Sequence, residues 1–367
     1  MGAVERLNMQ LTVSKNEFAQ ALRHVAPVAK SGAPNPILSN ILLTARDGTL
    51  ELYATDMVLG VRSTCGVSVA VPGSIVTPAR QLLDRVAALP DGTVHVQQTG
   101  GQLVLKSGER VFQLNSSPGD EYPQPPTAPE SGWVDAPAAD LARAIAMVRH
   151  AMADDDARVV GNMELSVKDG TCRVAALDGS RMALAEFPWG AELEPILVHR
   201  RCVAELAKLT DGSDDVSVCI VGPSLHVRSA GVHMSILCTD GTFPPIDQLI
   251  GRSFSGHLVV DRAQILGAAK AVMLSANANS GALLRVGEGS VELLSDAATY
   301  ARDKISAETN GSTEIGLNYK FLIELLTVAP GDDVQFDFQA NDELSPIQLV
   351  HRDNGRMFTS VLMPMRK

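Results

Sequence analysis

Three helix-like stretches of this chain repeat one arrangement of charge, a base followed by an acid four positions later. They are Arg80 with Asp84, Arg201 with Glu205, and Lys320 with Glu324. Further bases, Arg23, Arg143, Arg149 and Lys270, fall on other helix-like stretches. Bases displayed by equivalent helices could form a lining for phosphates. The plainer reading is a solvated face with intrahelical ion pairs, each worth about 0.2–0.5 kcal/mol. The pattern alone leaves both open. His150 with Asp154, Asp155 and Asp156 has the donors for a divalent ion, but consecutive acids point in different directions from a helix and more often mark a solvated end. Asp178-Gly179-Ser180-Arg181 offers a hydroxyl without a neighbouring His and acid, which reads as a turn rather than a nucleophile. Met357, Met363 and Met365 suit either core or a pliable binding surface. Phosphate-loop, dinucleotide-loop, metalloprotease and nucleophile-elbow motifs are absent from the sequence.

The elements that carry these residues recur about every 120 residues, a period that makes each unit a domain rather than a solenoid repeat. Each copy opens with a strand and a helix: residues 14–28, 137–151 and 261–274 read as the helices. Ser14 and Asp261 suit N-caps, and Pro137 suits a first helical turn. A hairpin follows in each, turning at Asp47-Gly48, Asp169-Gly170 and Gly287-Glu288-Gly289. An acid comes next (Asp56, Asp178, Asp296), then a strand, the second helix and a closing hairpin. The copy ends also rhyme, at Tyr122-Pro123, Phe243-Pro244 and Met363-Pro364. Two helices per copy beside a larger antiparallel set give an α+β class.

Composition narrows the classes. The 367 residues allow two or three domains with separate cores, and only 4% aromatic content makes those cores aliphatic. No apolar run approaches the roughly 20 residues of a membrane span, and the N-terminal residues lack a signal-peptide pattern, so a cytoplasmic protein is expected. Five scattered cysteines (65, 172, 202, 219, 238) read as buried thiols, not as a disulfide or zinc framework. No metal and no cofactor are expected. A net charge of −11 argues against nucleic acid only if the charge is evenly spread.

Several features together resemble the bacterial DNA polymerase III β subunit, the sliding-clamp family. They are the three copies, the Pro-x-Arg helix start, Asp178-Gly179-Ser180-Arg181-Met182-Ala183-Leu184-Ala185, Asp240-Gly241-Thr242-Phe243-Pro244, and Met363-Pro364-Met365-Arg366. The resemblance covers Met9 to Lys367, leaving residues 1–8 as an added segment. It implies clamp domains at 9–131, 132–255 and 256–367, with sheets outside and two helices per domain inside a head-to-tail homodimeric ring. It implies a non-catalytic processivity factor that encircles double-stranded DNA without reading sequence. The partners implied are the replicative polymerase α subunit, the clamp loader and other proteins with a clamp-binding motif. A diverged paralogue or interaction scaffold is the runner-up.

The same resemblance assigns residues. Arg23, Lys30, Arg80, Arg143, Arg149, Arg201, Lys270 and Lys320 would face DNA. Phe112 and Leu114 of one subunit would meet Met273 and Leu274 of the other. An apolar peptide pocket maps onto Gly161, Leu177, Gly179, Arg181, Met182, Pro244, Gln248, Leu249, Val361, Met363, Pro364, Met365 and Arg366. Leu177 stands where Thr is common, Ser180 where His is, Gln248 where Arg is, Gly161 where Leu is, and Pro245-Ile246 where an acid-aromatic pair is. Those departures imply a retained pocket with shifted peptide or inhibitor preference.

Overall fold

Asp47-Gly48 and Asp169-Gly170 take left-handed backbone angles, φ 49° and 74° in the first and 51° and 74° in the second. This is the two-residue turn that joins twisted strands directly. Each closes the hairpin expected of it, Asn40–Arg46 with Thr49–Thr55 and Asn162–Lys168 with Thr171–Leu177. The computed structural model describes residues 9–29, 35–154, 159–213, 215–250, 252–275, 282–295 and 300–365. Its α-helices are α1 Lys15–Val25, α2 Ala79–Ala88, α3 Ala138–Val148, α4 Arg200–Thr210, α5 Asp247–Ile250, α6 Arg262–Met273 and α7 Tyr319–Val328.

Every copy extends its first hairpin by a third strand: Leu59–Val71, Arg181–Pro188 and Arg302–Ser306. The first long helix of the copy packs on that strand, α1 on the first, α3 on the second and α6 on the third, and pairs with the second long helix, giving α1/α2, α3/α4 and α6/α7. The acid after the hairpin has a structural task. Asp56 Oδ1 accepts the N–H groups of Val58 and Leu59 at 3.1 and 2.8 Å, and Asp178 Oδ1 accepts those of Ser180 and Arg181 at 2.8 and 3.0 Å. Asx capping of this kind holds the chain as it enters the next strand. Asp296 lies outside the described residues.

The helix ends correct three details. Ser14 makes no side-chain cap bond; the first helical N–H, of Lys15, is met instead by the Gly92 carbonyl at 2.9 Å. Pro137 sits at the cap position of α3, not inside its first turn. The α-geometry stops at Val25 and Val148 and continues as single 3₁₀ turns, Ala26–Val28 and Arg149–Ala151. Asp261 caps as expected, its Oδ1 accepting Gln264 N–H at 2.7 Å.

The chain divides into two compact units, residues 1–136 with 213–238, and residues 137–212 with 239–367. The first holds a 13-stranded sheet in which Val232–Leu237 runs antiparallel to Leu59–Val71, with Val232 opposite Ser63 and Ile236 opposite Leu59. The second holds a nine-stranded and a four-stranded sheet. In the nine-stranded sheet Arg356–Leu362 runs antiparallel to Arg181–Pro188, from Met357 opposite Glu186 to Leu362 opposite Arg181. The compact units therefore cut across the sequence copies, because strands of the second copy complete the first unit. Both cores are aliphatic: Leu22, Leu42, Leu52 and Leu82 are fully buried in one, Leu184, Leu258, Leu322 and Leu325 in the other. Burying each such side chain contributes about 1.5–3 kcal/mol. All five cysteines are free thiols, and burial pushes Cys172 up to about 12. Among the described residues no helix is long and apolar enough to cross a membrane.

One polar group inside the first unit is sensitive to pH. The rings of His226 and His233 stack 5.3 Å apart, with His226 Nδ1 3.1 Å from His233 Nε2. Arg62 Nη2 donates to His233 Nδ1 at 3.1 Å, so that nitrogen must carry no proton. Burial and the Arg62 charge push His233 down to about 4, from an ordinary 6.5. The unfolded chain therefore binds a proton below pH 6.5 that the folded chain refuses until about pH 4. Thermal melts should show stability flat for this group above pH 6.5 and falling between there and pH 4. His233→Phe should shrink that fall; an unchanged slope would remove the assignment.

Candidate functional site

Alternation along a strand sends Leu177, Ala175, Met182 and Leu184 to one face of the sheet, since Leu177 lies opposite Met182 and Ala175 opposite Leu184. Val361 joins them from the next strand, opposite Met182. Leu197, Phe243 and Ile246 close the cluster, and the partly buried Val160, Leu249 and Ile250 pack against it. The segment from Phe243 to Ile250 is held over this face by α5, whose Asp247 accepts a 2.7 Å bond from Arg173 Nη2. The result is a buried apolar cluster with half-buried Val160 and Leu249 at its margin.

Arg181 fastens one end of the cluster. Its Nε donates to Asp178 Oδ2 at 2.9 Å, its Nη1 bonds Glu324 Oε2, and its guanidinium stacks 3.9 Å above the Phe321 ring. The turn at Asp178–Arg181, with Gly179 at φ 91°, is thus tied to α7. Glu324 bonds Arg181, Glu205 accepts from Lys208 at 2.7 Å, and Arg80 and Asp84 make the expected i,i+4 pair at 3.1 Å. His150 lies beside Arg181, and burial, then that positive charge, pushes it down to about 4. Asp154 pairs with Arg200 at 2.8 Å; Asp155 and Asp156 lie outside the described residues. No group of three or more His, Cys, Asp or Glu side chains is placed to hold a metal among the described residues.

The C-terminal segment borders the same site. Met363 N–H donates to the Ser180 carbonyl and Met365 N–H to the Gly316 carbonyl, both at 2.8 Å. A side chain at Gly316 would put its Cβ 2.8 Å from the Met365 carbonyl oxygen. Met363 is 37% exposed, and Pro364 and Met365 are half-buried, so these side chains face outward from a fixed backbone. Arg366 lies outside the described residues. Gly161 is buried and Gln248 exposed, while Pro244 is half-buried.

The basic residues are solvent-facing. Arg23 on α1, Arg80 on α2, Arg143 on α3, Arg149 just after it, Arg201 on α4, Lys270 on α6 and Lys320 on α7 are all exposed. Lys30 lies outside the described residues. Arg149 and Lys320 border one cleft of about 470 Å³, together with Arg200, a base the sequence reading passed over. Leu274, at the end of α6, is 89% exposed, and Met273 on α6 and Phe112 on the edge strand Arg110–Asn115 are half-buried, whereas Leu114 is 2% exposed and belongs to its own unit's core.

Three family descriptions match in tandem: the N-terminal domain of the DNA polymerase III beta subunit over residues 9–126, its central domain over 135–245 and its C-terminal domain over 247–366. The chain belongs to the DNA polymerase III beta subunit family. Its role is that of a sliding clamp. The beta sliding clamp of Pseudomonas aeruginosa is 28% identical, with 98% of this chain and all of that protein covered. The Escherichia coli clamp is 27% identical at the same coverage. Among solved structures, the P. aeruginosa clamp bound to griselimycin has a TM-score of 0.90 at 27% identity. The Bartonella birtlesii clamp bound to griselimycin has 0.91 at 25%; each alignment covers 98% of this chain and 100% of the other.

Within this family frame, Leu177, Met182, Val361 and Leu249 come together as expected. Ile246 joins them from a position named only as a departure from the family pattern, and Val160 and Phe243 were not assigned to the cluster because their segments have no strand periodicity to mark a buried face. Val160 supplies apolar surface next to Gly161, which has no side chain to offer. Gly316→Val should detach the tail: hydrogen exchange at Met365 should quicken while the global melting temperature holds. Unchanged exchange would show that the Gly316 contact does not fix it.

Proposed function

We propose that two copies of this chain close head to tail into a ring around duplex DNA, with clamp domains spanning 9–131, 132–255 and 256–367. The observation that carries this reading is a seam made twice in the same way. The third strand of one copy pairs with the last strand of a neighbouring copy, Leu59–Val71 with Val232–Leu237 and Arg181–Pro188 with Arg356–Leu362. The corresponding partners left over are Arg302–Ser306 and Arg110–Asn115, each at the end of its sheet. An unpaired edge is a template for another strand, and joining these two between chains repeats the seam with a heterologous contact that closes. Phe112, Met273 and Leu274 then supply apolar surface beside it.

In such a ring the exposed bases of the helix pairs face the DNA backbone, whose uniform charge permits contact without sequence readout. The acidic balance of the chain then belongs to the outside. The protein acts in the cytoplasm as a non-catalytic accessory subunit: it holds DNA by enclosure and offers the Leu177–Met182–Val361 concavity to the polymerase α subunit, the clamp loader and other motif-bearing proteins. Leu177 fills space that a Thr would leave, so peptide and inhibitor preference shifts relative to the P. aeruginosa and E. coli relatives.

Light scattering should give a dimer at micromolar concentration, and protein loaded on nicked circular DNA should leave only after linearisation. Combining Arg80→Glu, Arg201→Glu and Lys320→Glu should weaken retention and flatten its salt dependence. A monomer at all concentrations that leaves circles and linear DNA equally fast would overturn the ring. For the pocket, a consensus clamp-binding peptide should bind with an affinity different from that for the E. coli clamp, and Leu177→Thr should move it toward that value. Equal affinities would refute the shift.

A further inference from the structure

The apolar cluster does not end at Val361. Met182, Val361, Gln348, Asp337, His257 and Asn310 stand directly opposite one another across neighbouring antiparallel strands. Directly opposed residues project from the same face, so the row runs without a break from apolar to polar side chains. Its polar half lines a cleft of about 480 Å³. Ile250 belongs to both regions, packing against the apolar cluster and lining the cleft. Gln348 is only 6% exposed, and its buried Oε1 accepts no hydrogen bond from the described residues. A buried acceptor left without a donor costs about 1–3 kcal/mol, which marks the place where an incoming N–H would be stabilised. The charge in the cleft is also unbalanced. Among the described residues, Arg252 and Arg352 line it against a single carboxylate, Asp337, which already accepts the Gln335 amide at 2.7 Å.

We propose that this cleft reads the segment flanking the apolar anchor of a docked peptide, and that the segment it takes is extended and acidic. The inference rests on the docking reading above and adds a second recognition element to it. A backbone N–H of the flanking segment meets Gln348 Oε1, and a carboxylate meets the guanidinium groups of Arg252 and Arg352. A lysine in the same place would face those charges unfavourably. Partners with equal apolar anchors are thereby ranked by the charge beside the anchor.

Fluorescence anisotropy with the full chain tests this, using a consensus clamp-binding peptide extended by three residues at either end as Asp, Ser or Lys. At one of the two ends the Asp extension should tighten binding about fivefold to tenfold over Ser, as charge-assisted hydrogen bonds do, and Lys should weaken it. Arg252→Ala combined with Arg352→Ala should erase the Asp gain while leaving the unextended peptide's affinity unchanged; both residues are exposed, so the fold is retained. If the unextended peptide does not bind, the docking reading fails and this inference with it. If that peptide binds but Asp gives no gain at either end, or the gain survives the double substitution, the acidic-flank inference alone is overturned.

Discussion

The constraint on which the rest depends is the obligation of backbone N–H and C=O groups to be paired. The second and third copies each end in a strand whose second edge is filled by the third strand of the copy before it, so neither is a finished sheet by itself. The Arg181–Pro188 pairing with Arg356–Leu362 shows what this does for function. On one face its rungs place Met182 beside Val361 in the apolar cluster. On the other, Ala185 and Phe358 line a cavity together with Ala144 and Met147 of α3, the helix that displays Arg143. One ladder therefore fixes the apolar cluster and a basic helix back to back, and a register slip would scramble both.

Much of this architecture is legible in the residues. Asp-Gly turns need left-handed backbone angles that few other pairs accept, so the hairpins could be placed. Aliphatic stripes set the helix pairs, and their recurrence set the copy number. The capping detail was less visible: Ser14 looks like a cap, but the Gly92 carbonyl had already met the first N–H, a partner far along the chain. The compact units were invisible for a related reason. Strand pairing between copies is chosen by edges that come together only in the folded chain, and local composition carries no mark of it.

The site was legible where it lies on strands and obscure where it lies on loops. Leu177, Met182 and Val361 could be placed by motif, but Val160, Phe243 and Ile246 sit in segments without periodicity. The Glu324 assignment shows the limit of spacing arguments. An acid four residues after Lys320 fits an intrahelical pair, yet the better partner is Arg181, whose planar guanidinium is held by Asp178 and Phe321 at the same time. A charge pattern that repeats three times thus serves different ends in different copies: a surface ion pair at Arg80, a tie from α7 to the Asp178–Arg181 turn at Glu324.

The seams also impose an order on synthesis. Residues up to 136 can emerge, collapse and form their helices, yet the Leu59 end of the Leu59–Val71 strand waits for Val232–Leu237 before its outer edge is covered. Arg181–Pro188 waits longer still, for Arg356–Leu362. A growing chain therefore carries two sticky edges in succession while it is still attached to the ribosome. Shielding during translation, rather than final stability, is what this topology makes most demanding.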